Sequence, residues 1–154
     1  MSDIVVVGFG NLLMGDDGAG IRVVERLNDL GLPSGVKALD GGVASFEVLA
    51  GLRQAQAIII VDAMAAGGAP GAVYRMTPAD LGAPAPDRAF SLHEFTLLEA
   101  LHLAAKVAPL PPVVIYGIEP ASVELGLELT PPVAQAVERV ANLIMDELRS
   151  ELNA

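Results

Sequence analysis

The sequence predicts a three-layer α/β/α sandwich around a five-stranded sheet, mainly parallel with one strand antiparallel. Three observations lead there. Short apolar runs alternate along the chain with amphipathic helical patterns, as expected of strands covered by helices on both faces. Four of the runs are continuously apolar, which suits parallel strands buried on both faces. A fifth, short run follows its predecessor too closely for a helical crossover, so it is read as antiparallel.

The elements follow in order. Residues 4–7, Ile-Val-Val-Val, form the first strand and run into Gly8-Phe9-Gly10-Asn11-Leu12-Leu13-Met14-Gly15-Asp16-Asp17-Gly18-Ala19-Gly20. A helix is expected over 17–30, with Ile21, Val24 and Leu27 on one face. The second strand, 36–39, ends at Asp40-Gly41-Gly42, and a short helix spans 45–52. The third strand, 57–61, ends at Asp62. A turn-prone stretch, Gly67-Gly68-Ala69-Pro70-Gly71, leads into the short antiparallel strand at 72–76. Residues 77–89 read as a loop carrying Pro78, Pro84 and Pro86, expected to border the site and to be mobile. Ser91-Leu92-His93-Glu94 has capping-box spacing and opens a helix to about residue 107. Pro111-Pro112 precedes a strand at 113–117, followed by Ile118-Glu119-Pro120. Thr130-Pro131-Pro132 opens the last helix, where proline in the first turn costs little. Its buried stripe is Val133, Val137, Val140 and Ile144.

Size and composition bound the function. With 154 residues, 53% hydrophobic and 18% charged, the chain is expected to form one folded domain over 1–154. A formal net charge of −10 argues against nucleic acid or an anionic membrane as partner. No apolar stretch approaches the length of a membrane span and no secretion signal is visible, so a cytoplasmic protein is expected. With no cysteine, disulfides, thiolate metal sites and cysteine nucleophiles are excluded together. Imidazole chemistry is limited to His93 and His102.

The glycine-rich turn fits a nucleotide site poorly. The third glycine of Gly-x-Gly-x-x-Gly falls on Leu13, and no lysine stands where a phosphate loop needs one. Gly8 and Gly10 are explained by close packing of strand and helix. Asp16 and Asp17 occupy the helix start, where a pyrophosphate would otherwise bind. They repel anions and suit a cation.

Other acids fall at the same edge of the predicted sheet: Asp40 after the second strand, Asp62 at the end of the third, and Glu119 after the last. Ligands of open parallel sheets bind beyond the carboxyl ends of the strands. Taken alone, Asp40 and Glu119 read better as helix caps. Asp62 has no clear helix to cap. His93 is the second residue of its expected helix, so its ring can face the sheet edge. His102 lies nine residues later, half a turn away at about 100° per residue, and is read as an ordinary helix-face residue. Asp17, Asp62 and His93 together make a set of two carboxylates and one imidazole, suited to zinc, nickel or cadmium-like ions.

Five pieces carry a family resemblance: the turn from Gly8 to Gly20, Leu39-Asp40-Gly41-Gly42, Ile60-Val61-Asp62-Ala63, Ser91-Leu92-His93 and Gly117-Ile118-Glu119-Pro120. In this order and spacing the chain resembles the hydrogenase maturation proteases, endopeptidases that trim nickel-iron hydrogenase large subunits. The resemblance implies a twisted mixed sheet between helices. It places the family's metal-contacting acids at Asp17, where some members carry glutamate, and Asp62, and its histidine at His93. Asp40 matches the acid of the family's Asp-Gly-Gly turn, which is linked to activity. The family removes a C-terminal extension only after nickel insertion, so the nickel belongs to the substrate.

The expected partner is therefore a hydrogenase large-subunit precursor, met by a monomeric protease that holds no metal tightly of its own. The residues fit that picture. His-Glu-x-x-His is absent, and one imidazole with two exposed carboxylates makes a weak site, as a sensor of nickel held elsewhere needs. Asp16 or Asp40 is the candidate general base, and the residues do not choose between them. Two other readings compete. One is a Rossmann-like nucleotide-binding module, which Leu13 and the acids disfavour. The other is a non-enzymatic, metal-dependent chaperone that binds the precursor without cutting it.

Overall fold

The apolar run after Asp3 forms β1 (Ile4–Phe9), with every residue buried. A computed structural model describes residues 3–81 and 92–152. After β1 come a 3₁₀ turn (Gly15–Gly18), α1 (Ala19–Leu30), β2 (Val36–Gly42), α2 (Ser45–Gly51) and β3 (Ala57–Ala63). Then follow β4 (Val73–Met76), α3 (Pro78–Leu81), α4 (Leu92–Val107), β5 (Val113–Ile118) and α5 (Pro131–Leu152). The five strands lie in the order β2-β1-β3-β5-β4. All pairings are parallel except β4 with β5.

Alternation along the strands splits the core in two. Val6, Ile59, Val61 and Ile118 face α1 and α5, packing on Val23, Leu27, Val140 and Ile144. Val7, Phe9, Ile58, Ile60 and Ile115 face the other way, onto Leu49 of α2 and Leu97 and Leu101 of α4. The predicted sandwich and its antiparallel β4 are therefore present. Among the described residues no helix is long and apolar enough to cross a membrane.

Several boundaries differ from the sequence reading. Asp17 lies in the 3₁₀ turn, and the α-helix starts at Ala19. β2 runs on to Gly42, because a register shift between Gly8 and Phe9 lets Phe9 pair with Gly42. β3 continues through Asp62 to Ala63, paired with Gly117 and Ile118. Within the expected 77–89 loop, Pro78–Leu81 is a short helix. Asp80 Oδ2 reaches back to the Thr77 N–H at 2.8 Å, closing its first turn. The remainder of that loop, including Pro84 and Pro86, lies outside the described residues.

The strand order creates a switch point. From β1 the chain passes through α1 to β2 on one side, then crosses to β3 on the other. In open α/β sheets the crevice beyond the carboxyl ends of two such strands is where ligands bind. Here those ends belong to β1 and β3.

Candidate functional site

Two glycines bring the start of α1 against that crevice. A Cβ on Gly20 would lie 2.3 Å from the Val61 carbonyl oxygen and 2.6 Å from that of Phe9. A Cβ on Gly8 would lie 2.2 Å from the Gly20 oxygen. Only glycine permits this approach of helix to strands, which is the packing role expected of Gly8. Gly10 has φ +144°, and a Cβ there would meet the Asp17 oxygen at 2.1 Å. The 3₁₀ turn therefore sits tightly over the end of β1 and packs against β3.

Asp17 and Asp62 are carried to the same edge by this packing. Asp17 is half-buried, and its Oδ2 accepts the Asn11 N–H at 3.0 Å. That bond ties the acid to the glycine-rich turn. Asp62, expected from the sequence to be exposed, is instead fully buried near the end of β3, because its side chain shares the covered face of the sheet. It shares the sheet face of Ile58 and Ile60, because successive side chains of a strand alternate. That face is covered by α4. Residues 108–112 join the end of α4 to the start of β5, so α4 ends at the amino edge of the sheet. Its 16 residues span about 24 Å, enough to bring its start back to the carboxyl edge. His93 is the second residue of α4, as expected. Its side chain lies outside the described residues, and among those described no group of three His, Asp or Glu side chains could hold a metal ion.

Asp16 faces away from this chemistry. It has no exposed surface. Its Oδ2 accepts the N–H of Ala121 at 2.9 Å, the N–H of Ser122 at 3.1 Å and the hydroxyl of Thr130 at 2.7 Å. Its Oδ1 accepts the Thr130 N–H at 2.8 Å. Burial pushes the carboxyl up, but the bonds from Thr130, Ala121 and Ser122 outweigh it and hold it below the usual carboxylate range. Asp16 thus pins the segment between β5 and α5 to the 3₁₀ turn. The two adjacent acids do different work.

Asp40 and Glu119 do not cap helices, contrary to the sequence reading. Asp40 is exposed near the end of β2, and its Oδ1 accepts the Gly42 N–H at 2.8 Å. The Gly42 oxygen in turn accepts the Gly10 N–H at 2.9 Å. Asp40 therefore borders an open groove of 310 Å³ shared with Gly10, Asn11 and Val43. Glu119 is buried, and its Oε1 accepts the N–H groups of Ala66 and Gly68 and the Tyr74 hydroxyl, the last at 2.6 Å. It fastens the loop that leaves Asp62. That bond, followed by burial, raises the Tyr74 phenol. Small residues with donors to satisfy, from Ala65 to Gly71, were the available signal for such a clamp. His102 is exposed on α4, as a helix-face residue should be.

A doubly wound sheet with carboxylates at its switch point defines a class of α/β protein whose crevice lies beyond the carboxyl ends of β1 and β3. The comparisons narrow the class. The family model for hydrogenase maturation proteases matches residues 21–147. The hydrogenase expression/formation protein HupD of Rhodobacter capsulatus is 32% identical over 150 residues, covering 96% of this chain and 71% of that protein. The hydrogenase 2 maturation protease of Escherichia coli is 31% identical, covering 95% and 90%. Among solved structures, the hydrogenase maturating endopeptidase HybD from E. coli superposes with a TM-score of 0.82 at 30% identity, covering 97% and 93%. The maturation protease HycI from Thermococcus kodakarensis superposes at 0.76 with 27% identity, covering 96% and 93%. The chain belongs to the hydrogenase maturation protease family, a family of peptide hydrolases.

Proposed function

We propose that this protease removes the C-terminal extension of a nickel-iron hydrogenase large-subunit precursor once nickel is in place. Asp17, Asp62 and His93 complete the coordination of the substrate's nickel. The observation that carries this reading is the placement of Asp17, in the 3₁₀ turn packed on β3, and of Asp62, at the end of β3, at one edge of the sheet. The length of α4 is what supports bringing its start, with His93, to that edge.

The chemistry of the donor set supports it. Nickel accepts imidazole and carboxylate together. Two carboxylates and one imidazole hold a divalent ion less firmly than the closed sites of structural zinc, so the protease carries no tightly held metal of its own. Nickel arriving in the precursor fixes the scissile segment at the crevice, and proximity supplies much of the rate. Asp40 is the better candidate base of the two considered. It is exposed beside the glycine-rich turn, whereas every Asp16 oxygen is engaged by donors. A base must reach solvent or substrate to take a proton. The reaction is assigned to a cytoplasmic monomer acting on the precursor.

The test uses His93→Ala, Asp17→Asn and Asp62→Asn. Each variant is incubated with purified nickel-loaded precursor, and the mass of the large subunit is followed. All three should keep the wild-type circular dichroism spectrum and fail to process. Processing at the wild-type rate by any of them overturns the assignment. A wild-type protein that binds the precursor and leaves its mass unchanged overturns the protease reading in favour of a chaperone.

A further inference from the structure

The segment that Asp16 anchors displays a surface the proposed chemistry does not use. Residues 121–128 are strapped to the 3₁₀ turn from several sides. The Gly15 N–H donates to the Gly126 oxygen and the Gly126 N–H to the Leu13 oxygen, both at 2.8 Å. Arg22 Nη2 donates to the Leu127 oxygen at 2.9 Å. With the Asp16 bonds these fix the backbone of the segment.

That fixed backbone turns leucines outward. Leu125 is 83% exposed, Leu127 62%, and Leu13 on the facing turn 57%. Burying such side chains is favourable, and here three are left in water along backbone segments bonded to one another. Apolar groups grouped in this way mark contact surfaces. The chain sequence around them is acidic, with Glu124 and Glu128 both exposed. A second copy of this chain would bring those glutamates against each other, in a protein of net charge −10. The complement is an apolar surface rimmed by lysine or arginine. The patch also adjoins the site, since the turn over residues 11–14 that carries Leu13 leads directly into the 3₁₀ turn that carries Asp17.

We propose that Leu13, Leu125 and Leu127 form an exosite that docks the folded body of the precursor through an apolar, basic-rimmed surface, delivering its C-terminal extension to the β1–β3 crevice. The proposal rests on the protease reading above. It makes recognition of the precursor bipartite, with nickel read at the crevice and protein surface read at the leucines.

The experiment compares wild type with the Leu125→Ser/Leu127→Ser double variant on purified nickel-loaded precursor. Both positions are solvent-exposed, so the unfolding midpoint should stay within about 2 °C. KM should rise about tenfold or more, as loss of a central apolar anchor implies, with the loss falling on KM and not on kcat. Glu124→Lys/Glu128→Lys should also raise KM, and added salt should raise the wild-type KM. Equal KM for wild type and the leucine variant overturns the exosite. So does a wild-type dimer in sedimentation that the leucine variant abolishes, because the patch then serves a second copy. Precursor binding by calorimetry separates the two readings. If wild type binds without cutting and the leucine variant loses binding, the exosite stands and the protease reading falls. If wild type neither binds nor cuts, both fall.

Discussion

Replacing Asp16 by asparagine preserves its volume and removes its charge. An amide has one acceptor oxygen. Placed at the Oδ2 position, that oxygen keeps the three donors of Ala121, Ser122 and Thr130 Oγ1, and the amide nitrogen then confronts the Thr130 N–H, donor against donor. Hydrogen bonds to charged groups are worth about 1.5–3 kcal/mol and neutral ones about 0.5–1.5. Three demotions and one stranded donor, discounted for non-additivity, come to about 3 kcal/mol. For a chain of this size each kcal/mol moves the thermal midpoint by about 2–4 °C, so a fall of about 6–12 °C is expected by circular dichroism. The gap also depends on pH. Asp16 has a depressed carboxyl in the folded state, so its contribution is fully present above the unfolded value of about 3.9 and is lost as pH falls through the folded value. The difference between wild type and Asp16→Asn should therefore close in acid below about pH 4. A midpoint within about 2 °C of wild type at neutral pH refutes the anchoring role. Loss of processing without loss of stability returns Asp16 to the catalytic set.

Glu119→Ala should release the loop after β3. Hydrogen exchange at the Ala66 and Gly68 amides is expected to accelerate at least about tenfold, and processing to slow because Asp62 leads directly into that loop; unchanged exchange contradicts the clamp. Processing should weaken as the solution is made acidic, because His93 must be neutral to ligate. A rate flat between pH 5.5 and about 8 contradicts ligation by His93.

The parallel strands were legible because burial on both faces leaves an unbroken apolar run, as in 4–7 and 57–61. Gly8 was legible as a packing glycine. The division of labour between Asp16 and Asp17 was not. Two identical neighbours are told apart only by the donors that meet them, and for Asp16 these come from residues more than a hundred positions away. Glu119 is the same case, its partners Ala66 and Gly68 lying about fifty positions earlier. The short helix at Pro78–Leu81 did carry a local signal, Thr77 with Asp80 three later and proline between. Three prolines in one stretch hid it. For His93, its place at the start of α4, as the second residue of that helix, was legible.

The crevice is proposed to read nickel held by the substrate. The most direct measurement incubates the wild-type protein with one purified precursor preparation divided in two, nickel-loaded and nickel-free, and follows loss of the C-terminal extension by mass spectrometry. Cleavage of the nickel-loaded precursor alone is expected, with the nickel-free half intact until nickel is inserted. Equal cleavage of both halves contradicts the proposal.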